Sequence, residues 1–333
     1  MKKRKISAVT ACNLLRVNCA QCGSWEAEVI VRTPDFELDS PEEYEVVRCV
    51  ACGYIYTAVR PPENILFAKH YPDNYLCYGG KVKSGIDIDA VRRHRQALLR
   101  AKILARYLPN EKAKVLEIGC ATGEFLKAGK EKYGWEVSGI EPNKKLTRKL
   151  IKEGYTVLDK ILEQVKIPPA SYEAVCLFNV FEHLWDAVYS LKKISVFLKP
   201  NGLIILEIPD FEAVGRAVFK RYWFLYHLPR HLTFFTRKTL NYLMRQTGFV
   251  PVTICKQFRP TVNALSIKYW GQEKSFSGNK KKFFSADNPM ILAIAIFLEL
   301  VFNIRGNSNH MIGVYRKIKT VSRNRSLLRI RQL

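Results

Sequence analysis

Nine cysteines occur in the 333-residue sequence, and four of them form two pairs with a metal-binding spacing. Each pair is a Cys-x-x-Cys-Gly motif, and the 26 residues between the pairs leave room for a hairpin. Four thiolates complete the tetrahedral shell of zinc and leave no position open for a substrate. The spacing therefore predicts a structural zinc site, and it favours a reducing compartment over a disulfide framework. The predicted ligands are Cys19, Cys22, Cys49 and Cys52.

A second motif has the composition of a nucleotide-binding turn. Residues 117–123, Glu-Ile-Gly-Cys-Ala-Thr-Gly, stand between an apolar run and a helical pattern. Small residues let the backbone approach a ligand, and the first N–H groups of the helix have no partner within it. Glu141 closes the next apolar run, where a carboxylate can bind both hydroxyls of a ribose. The turn is not Gly-x-Gly-x-x-Gly, which argues against NAD.

Alternating strands and helices must position these residues. Nearly continuous apolar strands separated by helices are typical of a parallel sheet covered on both faces. The predicted fold class is therefore α/β, a Rossmann-like sheet behind a small four-cysteine unit. The predicted strands are 114–118, 136–140, 155–157, 172–178, 203–208, 250–254 and 311–315, and the predicted helices include 124–133, 143–153, 186–198, 236–246 and 289–303.

The same patterns divide the chain into four segments. Residues 15–62 form the zinc-ribbon-like unit, which ends at Arg-Pro-Pro. Residues 63–110 form a helical connector, and residues 111–318 form the α/β domain. This domain carries a loop-rich insertion at about 259–308, and a basic tail occupies 319–333.

These motifs resemble those of class I S-adenosylmethionine-dependent methyltransferases. The run 117–123 is similar to that family's first motif, although Ala121 stands where many members have glycine. Residues 179–184, Asn-Val-Phe-Glu-His-Leu, resemble a motif after the fourth strand, and 198–202 resemble the loop before the fifth. Residues 227–249 resemble the branch that modifies sugars, surface polysaccharides and natural products.

The resemblance covers about residues 15–255 and implies a seven-stranded sheet with S-adenosylmethionine as cofactor. It implies that Glu117 and the glycine turn hold the methionine end, that Glu141 holds the ribose and that Asp159 borders the adenine. The residues that it assigns to the cofactor are Glu117, Gly119, Cys120, Ala121, Gly123, Glu141, Asp159 and Asn179.

Two histidines are candidates for the base that takes a proton from a hydroxyl acceptor. His183 follows the fourth strand, at the sheet edge where open α/β folds bind ligands. His231 lies in a segment rich in aromatic and basic residues, 222–231, which is expected to form a lid. Histidine suits proton transfer near neutral pH, although a packing role for either residue is the alternative. Arg230 is expected to hold a phosphate of the substrate's carrier.

The net charge of +24 favours a polyanionic partner: nucleic acid, an anionic membrane surface or a phosphate-bearing substrate. Basic residues also crowd both ends of the chain, so solubilising tails are the alternative explanation. The segment 280–304 joins lysines to an apolar run and fits either a membrane-surface helix or a core helix. With no signal peptide apparent in residues 1–9, we expect a cytoplasmic protein that can touch a membrane.

The acceptor itself has three interpretations. The leading one is a small molecule or glycan, with or without a phosphate or lipid carrier, methylated on a hydroxyl. An RNA methyltransferase is the second, favoured by the zinc unit and the charge, although Asn-Pro-Pro-Tyr is absent at 179–182. The third is a catalytically inactive methyltransferase fold that serves as a zinc-ribbon binding protein. The presence of Glu117, Gly119, Gly123 and Glu141 argues against it.

Overall fold

Two β-sheets organise the computed structural model, which describes residues 14–40, 42–71, 88–108, 111–273 and 283–318. The first sheet is antiparallel, in the order β1-β4-β3-β2, and β10 pairs with β4 beside β1. Its strands are β1 (Leu15–Arg16), β2 (Ala27–Pro34), β3 (Glu43–Cys49), β4 (Ile55–Arg60) and β10 (Thr233–Phe234).

Strand β4 is the centre of this sheet, and all six of its residues are buried. Alternate side chains of a strand point to opposite faces, so this strand must be covered on both sides. Tyr56 and Ala58 pack into the core of the larger domain. Ile55 packs against Phe211 and Trp223, which come from the segment that follows the larger sheet's fifth strand. The cysteine unit is therefore embedded in the molecule and not attached by a linker alone.

The second sheet has seven strands in the order β11-β12-β9-β8-β5-β6-β7. The pairs from β9 to β7 are parallel, whereas β12 runs antiparallel to both β9 and β11. This confirms the predicted α/β class and the seven-stranded, mostly parallel sheet. Its strands are β5 (Lys114–Ile118), β6 (Glu136–Ile140), β7 (Thr156–Leu158), β8 (Tyr172–Phe178), β9 (Leu198–Pro209), β11 (Phe249–Gln257) and β12 (His310–Lys317).

Helices cover both faces of this sheet because its strand residues are apolar on both sides. Val115, Ala174 and Ile205 face α2 and α3. Leu116 and Leu206 face α5 and α7. The helices are α1 (Glu63–His70), α2 (Ile88–Ala105), α3 (Glu124–Tyr133), α4 (Lys144–Lys152), α5 (Ala187–Phe197), α6 (Val214–Phe219), α7 (Arg237–Gln246), α8 (Pro260–Glu273) and α9 (Pro289–Arg305).

The segment after β11 differs from the loop-rich insertion that the sequence suggested, because it contains α8. This helix is packed between α9 and the turns around residues 220–226, so it is covered on more than one side. It also buries polar groups: Asn263 donates to Glu299 at 2.9 Å. A helix that is covered on several sides and partly polar inside has no single apolar stripe, which is the signal that identifies surface helices.

Helix α9 is half buried and half exposed. Ile291 and Ala295 pack on α8, while Met290, Phe297 and Ile304 are 59%, 64% and 85% exposed. Within the described ranges, no helix combines the length and hydropathy needed to cross a bilayer. The lysines of 280–282 and the basic tail 319–333 lie outside the described residues.

Candidate functional site

The turn between β5 and α3 has the backbone of a ligand-binding loop. Gly119 and Gly123 adopt φ of 71° and 81°, and Ala121 adopts φ of 43°. A Cβ on Gly119 would lie 2.4 Å from Val180 Cγ2, so the left-handed backbone and the lack of space both require glycine. Within 119–123, the N–H groups of all residues except Thr122 already donate to oxygens of the protein. The turn therefore offers a ligand a closely approachable backbone, and the first N–H groups of α3 have no partner within that helix. The side chain of Cys120 packs toward Gly139.

Glu141 holds this turn against the end of β6. Its two carboxylate oxygens accept hydrogen bonds from Ala121 N at 2.9 Å and from Asn143 N at 2.8 Å. Burial raises the pKa of Glu141, and these two bonds oppose that shift. Each oxygen retains a second lone pair, so the carboxylate can still accept hydroxyl donors from a ligand. Asp159 lies in the exposed stretch just beyond β7, close enough for its charge to act on Glu141.

Glu117 and Asn179 bring two further unsatisfied groups to the same edge. Glu117 lies in β5, which pairs in parallel with β8, and Asn179 follows β8 directly. One carboxylate oxygen of Glu117 and the amide oxygen of Asn179 are buried without a hydrogen-bond partner among the described residues. Burial raises the pKa of Glu117 well above its usual value. Buried polar atoms without partners are costly, so this edge suits a ligand with donor groups.

The four predicted zinc ligands lie together at the tips of two loops. Cys19 Sγ is 3.5 Å from Cys52 Sγ, Cys22 Sγ is 3.5 Å from Cys49 Sγ, and all four sulfurs lie within 4.8 Å of one another. Four sulfurs bound at 2.3 Å to one tetrahedral ion lie about 3.8 Å apart, which fits this arrangement. The glycine that follows each pair turns the loop with φ of 76° and 74°.

His183 and His231 lie side by side, with ring centroids 4.6 Å apart. His183 Nδ1 contacts the Tyr71 hydroxyl at 2.9 Å and the Arg230 carbonyl at 3.0 Å. His231 Nδ1 donates to the Leu225 carbonyl at 2.8 Å. The Nε2 atom of His231 lies 3.9 Å from Glu182 Oε1. Two imidazoles and a carboxylate thus meet at the carboxyl end of β8.

Burial controls the charge of these groups. It lowers the pKa of His183 to about 4 and the pKa of His231 well below its usual value. It raises the pKa of Glu182 to about 8. Both imidazoles are therefore neutral near pH 7, and each keeps one ring nitrogen with a free lone pair. A neutral imidazole is the form that can accept a proton or bind a metal.

The expectations for Arg230 and for the aromatic segment are wrong. Arg230 is completely buried, and its guanidinium forms a bidentate pair with Asp35 at 2.8 and 2.9 Å, which leaves no room for a phosphate. Trp223 and Tyr226 are 1% and 3% exposed and pack against the cysteine unit, so this segment is core and not a lid. An arginine's charge is visible in a sequence, whereas its burial is not.

Sequence reasoning missed the contacts that hold the histidines. Asp35 lies in the β2–β3 connection and anchors Arg230, the residue next to His231. Thr57 of β4 donates to the carbonyl of His231 at 2.7 Å. In the sequence Asp35 follows Thr-Pro, which indicates a turn and no partner, and 195 positions separate it from Arg230. The cysteine unit thus supports the segment that carries His231.

The larger domain is similar to known methyltransferase domains. Residues 91–254 match the family model of a methyltransferase domain. A probable S-adenosylmethionine-dependent methyltransferase of Mycobacterium tuberculosis is 27% identical over 116 residues, 34% of this chain and 40% of that relative. A tRNA U34 carboxymethyltransferase of Desulfotalea psychrophila is 31% identical over 131 residues, 37% of this chain and 40% of that relative. The chain thus matches 40% of the length of these curated relatives.

A solved structure supports the fold. It is a phosphoethanolamine N-methyltransferase 2 of Haemonchus contortus, in complex with phosphomonomethylethanolamine and S-adenosylhomocysteine. Its TM-score is 0.50 at 16% identity, and the match covers 87% of this chain and 71% of that one. At this level of identity the likeness concerns the fold alone.

Proposed function

We propose that this chain, whose residues 91–254 match the model of a methyltransferase domain, is an S-adenosylmethionine-dependent methyltransferase acting on a small-molecule hydroxyl. The acceptor is a sugar, a glycolipid or a related metabolite. The observation that carries this proposal is the edge formed by β5, β6 and β8. There a glycine turn, two carboxylates and a pair of neutral imidazoles lie at consecutive strand ends.

The cofactor's place follows from the groups at that edge. Glu117, with an unpartnered oxygen, suits the ammonium group of the methionine end. The N-terminus of α3, which begins directly after this turn, suits its carboxylate. Glu141 suits the ribose hydroxyls and Asp159 the adenine side, while Asn179 lies toward the methyl donor. Bound there, S-adenosylmethionine supplies an electrophilic methyl group.

The acceptor's hydroxyl must lose a proton as its oxygen bonds to the methyl carbon. We assign the activation of this hydroxyl to His231, with His183 as the second candidate. His231 Nδ1 is held by the Leu225 carbonyl, so the lone pair lies on Nε2. Direct proton acceptance by Nε2 is the simplest form of this activation, and a positioned base contributes roughly 10²–10⁴-fold to such reactions.

The test is turnover of purified variants against a panel of sugar and glycolipid acceptors. His231→Ala should reduce turnover at least about tenfold and leave S-adenosylmethionine affinity nearly unchanged. His183→Ala is the matched comparison, and a larger loss there would assign the role to that residue. Full turnover in both variants would mean that the enzyme works by aligning its substrates alone.

We also propose that the four cysteines bind one structural zinc ion. The support is the spread of the four sulfurs and the two glycine turns. Because β4 and Asp35 of this unit contact the segment of His231, loss of zinc should disturb the acceptor side of the site.

RNA is the second acceptor class, and two observations favour it. The net charge is +24, and a curated relative is a tRNA U34 carboxymethyltransferase. A protein that neutralises several phosphates loses RNA affinity steeply as salt rises. A steep salt dependence of RNA binding, together with methylated RNA products, would replace the small-molecule proposal.

The exposed face of α9 is proposed to rest on an anionic lipid surface when the acceptor is lipid-linked. This face has large apolar side chains and the chain is strongly basic, a combination typical of interfacial helices. Phe297→Glu should weaken binding to vesicles that contain phosphatidylglycerol, with Tyr242→Glu on the exposed face of α7 as the control. Equal vesicle binding by both variants would exclude this surface.

A further inference from the structure

The Glu182 side chain is the least satisfied polar group near the proposed acceptor. It is 1% exposed, and neither carboxylate oxygen has a hydrogen-bond partner among the described residues. Its Oε1 atom lies 3.9 Å from His231 Nε2, which is too long for a hydrogen bond. A buried carboxylate is stable only when it is neutralised, by a proton, a cationic partner or a metal ion. Among the residues that the structure describes, no cationic side chain is hydrogen-bonded to it.

The two histidines beside Glu182 are oriented as metal ligands are. In metal sites, a ligating imidazole uses its second ring nitrogen to bond a carbonyl or carboxylate, which fixes the ring and its tautomer. His231 Nδ1 bonds the Leu225 carbonyl, and His183 Nδ1 bonds the Arg230 carbonyl. Both rings therefore keep Nε2 free as a ligand atom.

We infer that Glu182, His183 and His231 form a binding site for one divalent transition-metal ion at the acceptor edge. One ligand atom from each residue lies within 4.8 Å of the others. Ligands about 2.1 Å from a shared ion lie at most about 4.2 Å apart, so binding requires shifts below roughly 1 Å. Two imidazoles and one carboxylate suit zinc, iron, cobalt or manganese and leave coordination positions open.

This site deepens the proposed function and rests on it only for its role in catalysis. An acceptor oxygen bound at an open position would lose its proton to water more readily, because a metal ion lowers the pKa of a bound hydroxyl. The oxygen would then attack the sulfonium methyl, and the carbon–sulfur bond would break to leave S-adenosylhomocysteine. In that case His231 is a ligand and not the base.

The test is a titration with Co²⁺ alone of the full chain carrying one equivalent of zinc, followed by calorimetry and visible absorption. The single zinc ion occupies the four thiolates, because soft thiolate ligands select zinc, and cobalt then binds the nitrogen and oxygen ligands that remain. We expect one Co²⁺ per chain, with a d–d spectrum and without thiolate charge-transfer bands. No binding beyond the zinc site at millimolar Co²⁺, or a thiolate spectrum, would overturn the inference.

Two variants make the assignment specific. Glu182→Gln keeps the shape of the side chain and should weaken Co²⁺ binding at least about tenfold, since even changes behind the ligands cost that much. Glu299→Gln is the matched control, because Glu299 is equally buried but its oxygens accept bonds from Arg259 N, Asn263 and Asn309. Wild-type affinity in Glu182→Gln would refute the site.

S-adenosylhomocysteine calorimetry on the same samples separates the two proposals. Cofactor binding without Co²⁺ binding removes the metal site and leaves the methyltransferase assignment intact. Co²⁺ binding without cofactor binding supports the metal site and removes the methyltransferase assignment. If Glu182→Gln does not fold, as judged by thermal unfolding, the Co²⁺ stoichiometry and the visible spectrum of the wild-type protein still test the metal site.

Discussion

The ion pair between Asp35 and Arg230 should be the most costly contact to break between the cysteine unit and the methyltransferase domain. Both side chains are almost completely buried, at 1% and 0% exposure. Burial alone would raise the pKa of Asp35, but bonds from His70 and Arg230 outweigh it and hold the pKa at about 2. Relative to the usual 3.8, that shift corresponds to about 2 kcal/mol of stability at neutral pH.

Asp35→Asn is the perturbation. Removing one partner of a buried pair typically costs about 3–5 kcal/mol, because the other charge remains buried. Here Glu37 stays 3.0 Å from Arg230 and supplies part of the lost compensation. We therefore expect a loss of about 2–3 kcal/mol in the free energy of unfolding.

Urea unfolding monitored by tryptophan fluorescence measures this loss. Glu43→Gln is the control, since Glu43 pairs with Arg221 at 2.8 Å but both side chains are partly exposed, and we expect a change below about 1 kcal/mol. Because the folded pKa is depressed, the advantage of wild type should persist above about pH 4 and disappear as pH falls toward 2. A loss of unfolding free energy below about 0.5 kcal/mol at pH 7 would refute a stabilising role for this ion pair.

Two further predictions concern bound groups. Glu141→Ala should weaken S-adenosylmethionine binding by about 1–3 kcal/mol, because the charged acceptor of the ribose hydroxyls is lost; unchanged affinity in calorimetry would remove Glu141 from that role. The purified chain should contain one zinc ion, and Cys19→Ser should release it, lower the melting temperature and reduce turnover through the His231 segment. Elemental analysis that finds no zinc in metal-replete protein would contradict this.

The sheet was predictable because its strands are nearly continuous apolar runs. Strands β5, β6 and β8 begin and end where the sequence placed them, since glycine, charged or small polar residues bound each apolar run. Helix α8 was not predictable in the same way. Its pattern shows no single apolar face, because it is packed on several sides and buries Asn263 and Ser266. The spacing of apolar residues in a sequence identifies helices and strands that have one buried and one exposed face.

The candidate site was predictable from the sequence where the local backbone conformation allows only certain residue types. Gly119 and Gly123 are required by their φ angles and by the close approach of Val180 and Leu150, and the sequence identified both. Glu182 and Asp35 acquire their roles from partners far along the chain, His231 and Arg230. Such partners leave no pattern in a single sequence, so the burial of Arg230 and the grouping of the histidines required the fold.

The shared sheet has a consequence for how the chain is made. Strand β4 receives β10 along the same edge as β1, and β10 is supplied by residues 233–234. During synthesis, the backbone groups of Ile55 and Tyr56 on this edge have no β10 partner until residues 233–234 have left the ribosome. An open strand edge with apolar side chains invites pairing with other chains. A fragment that ends after the cysteine unit should therefore aggregate even when it is saturated with zinc, while the full chain, in which β10 pairs with β4, should stay in solution.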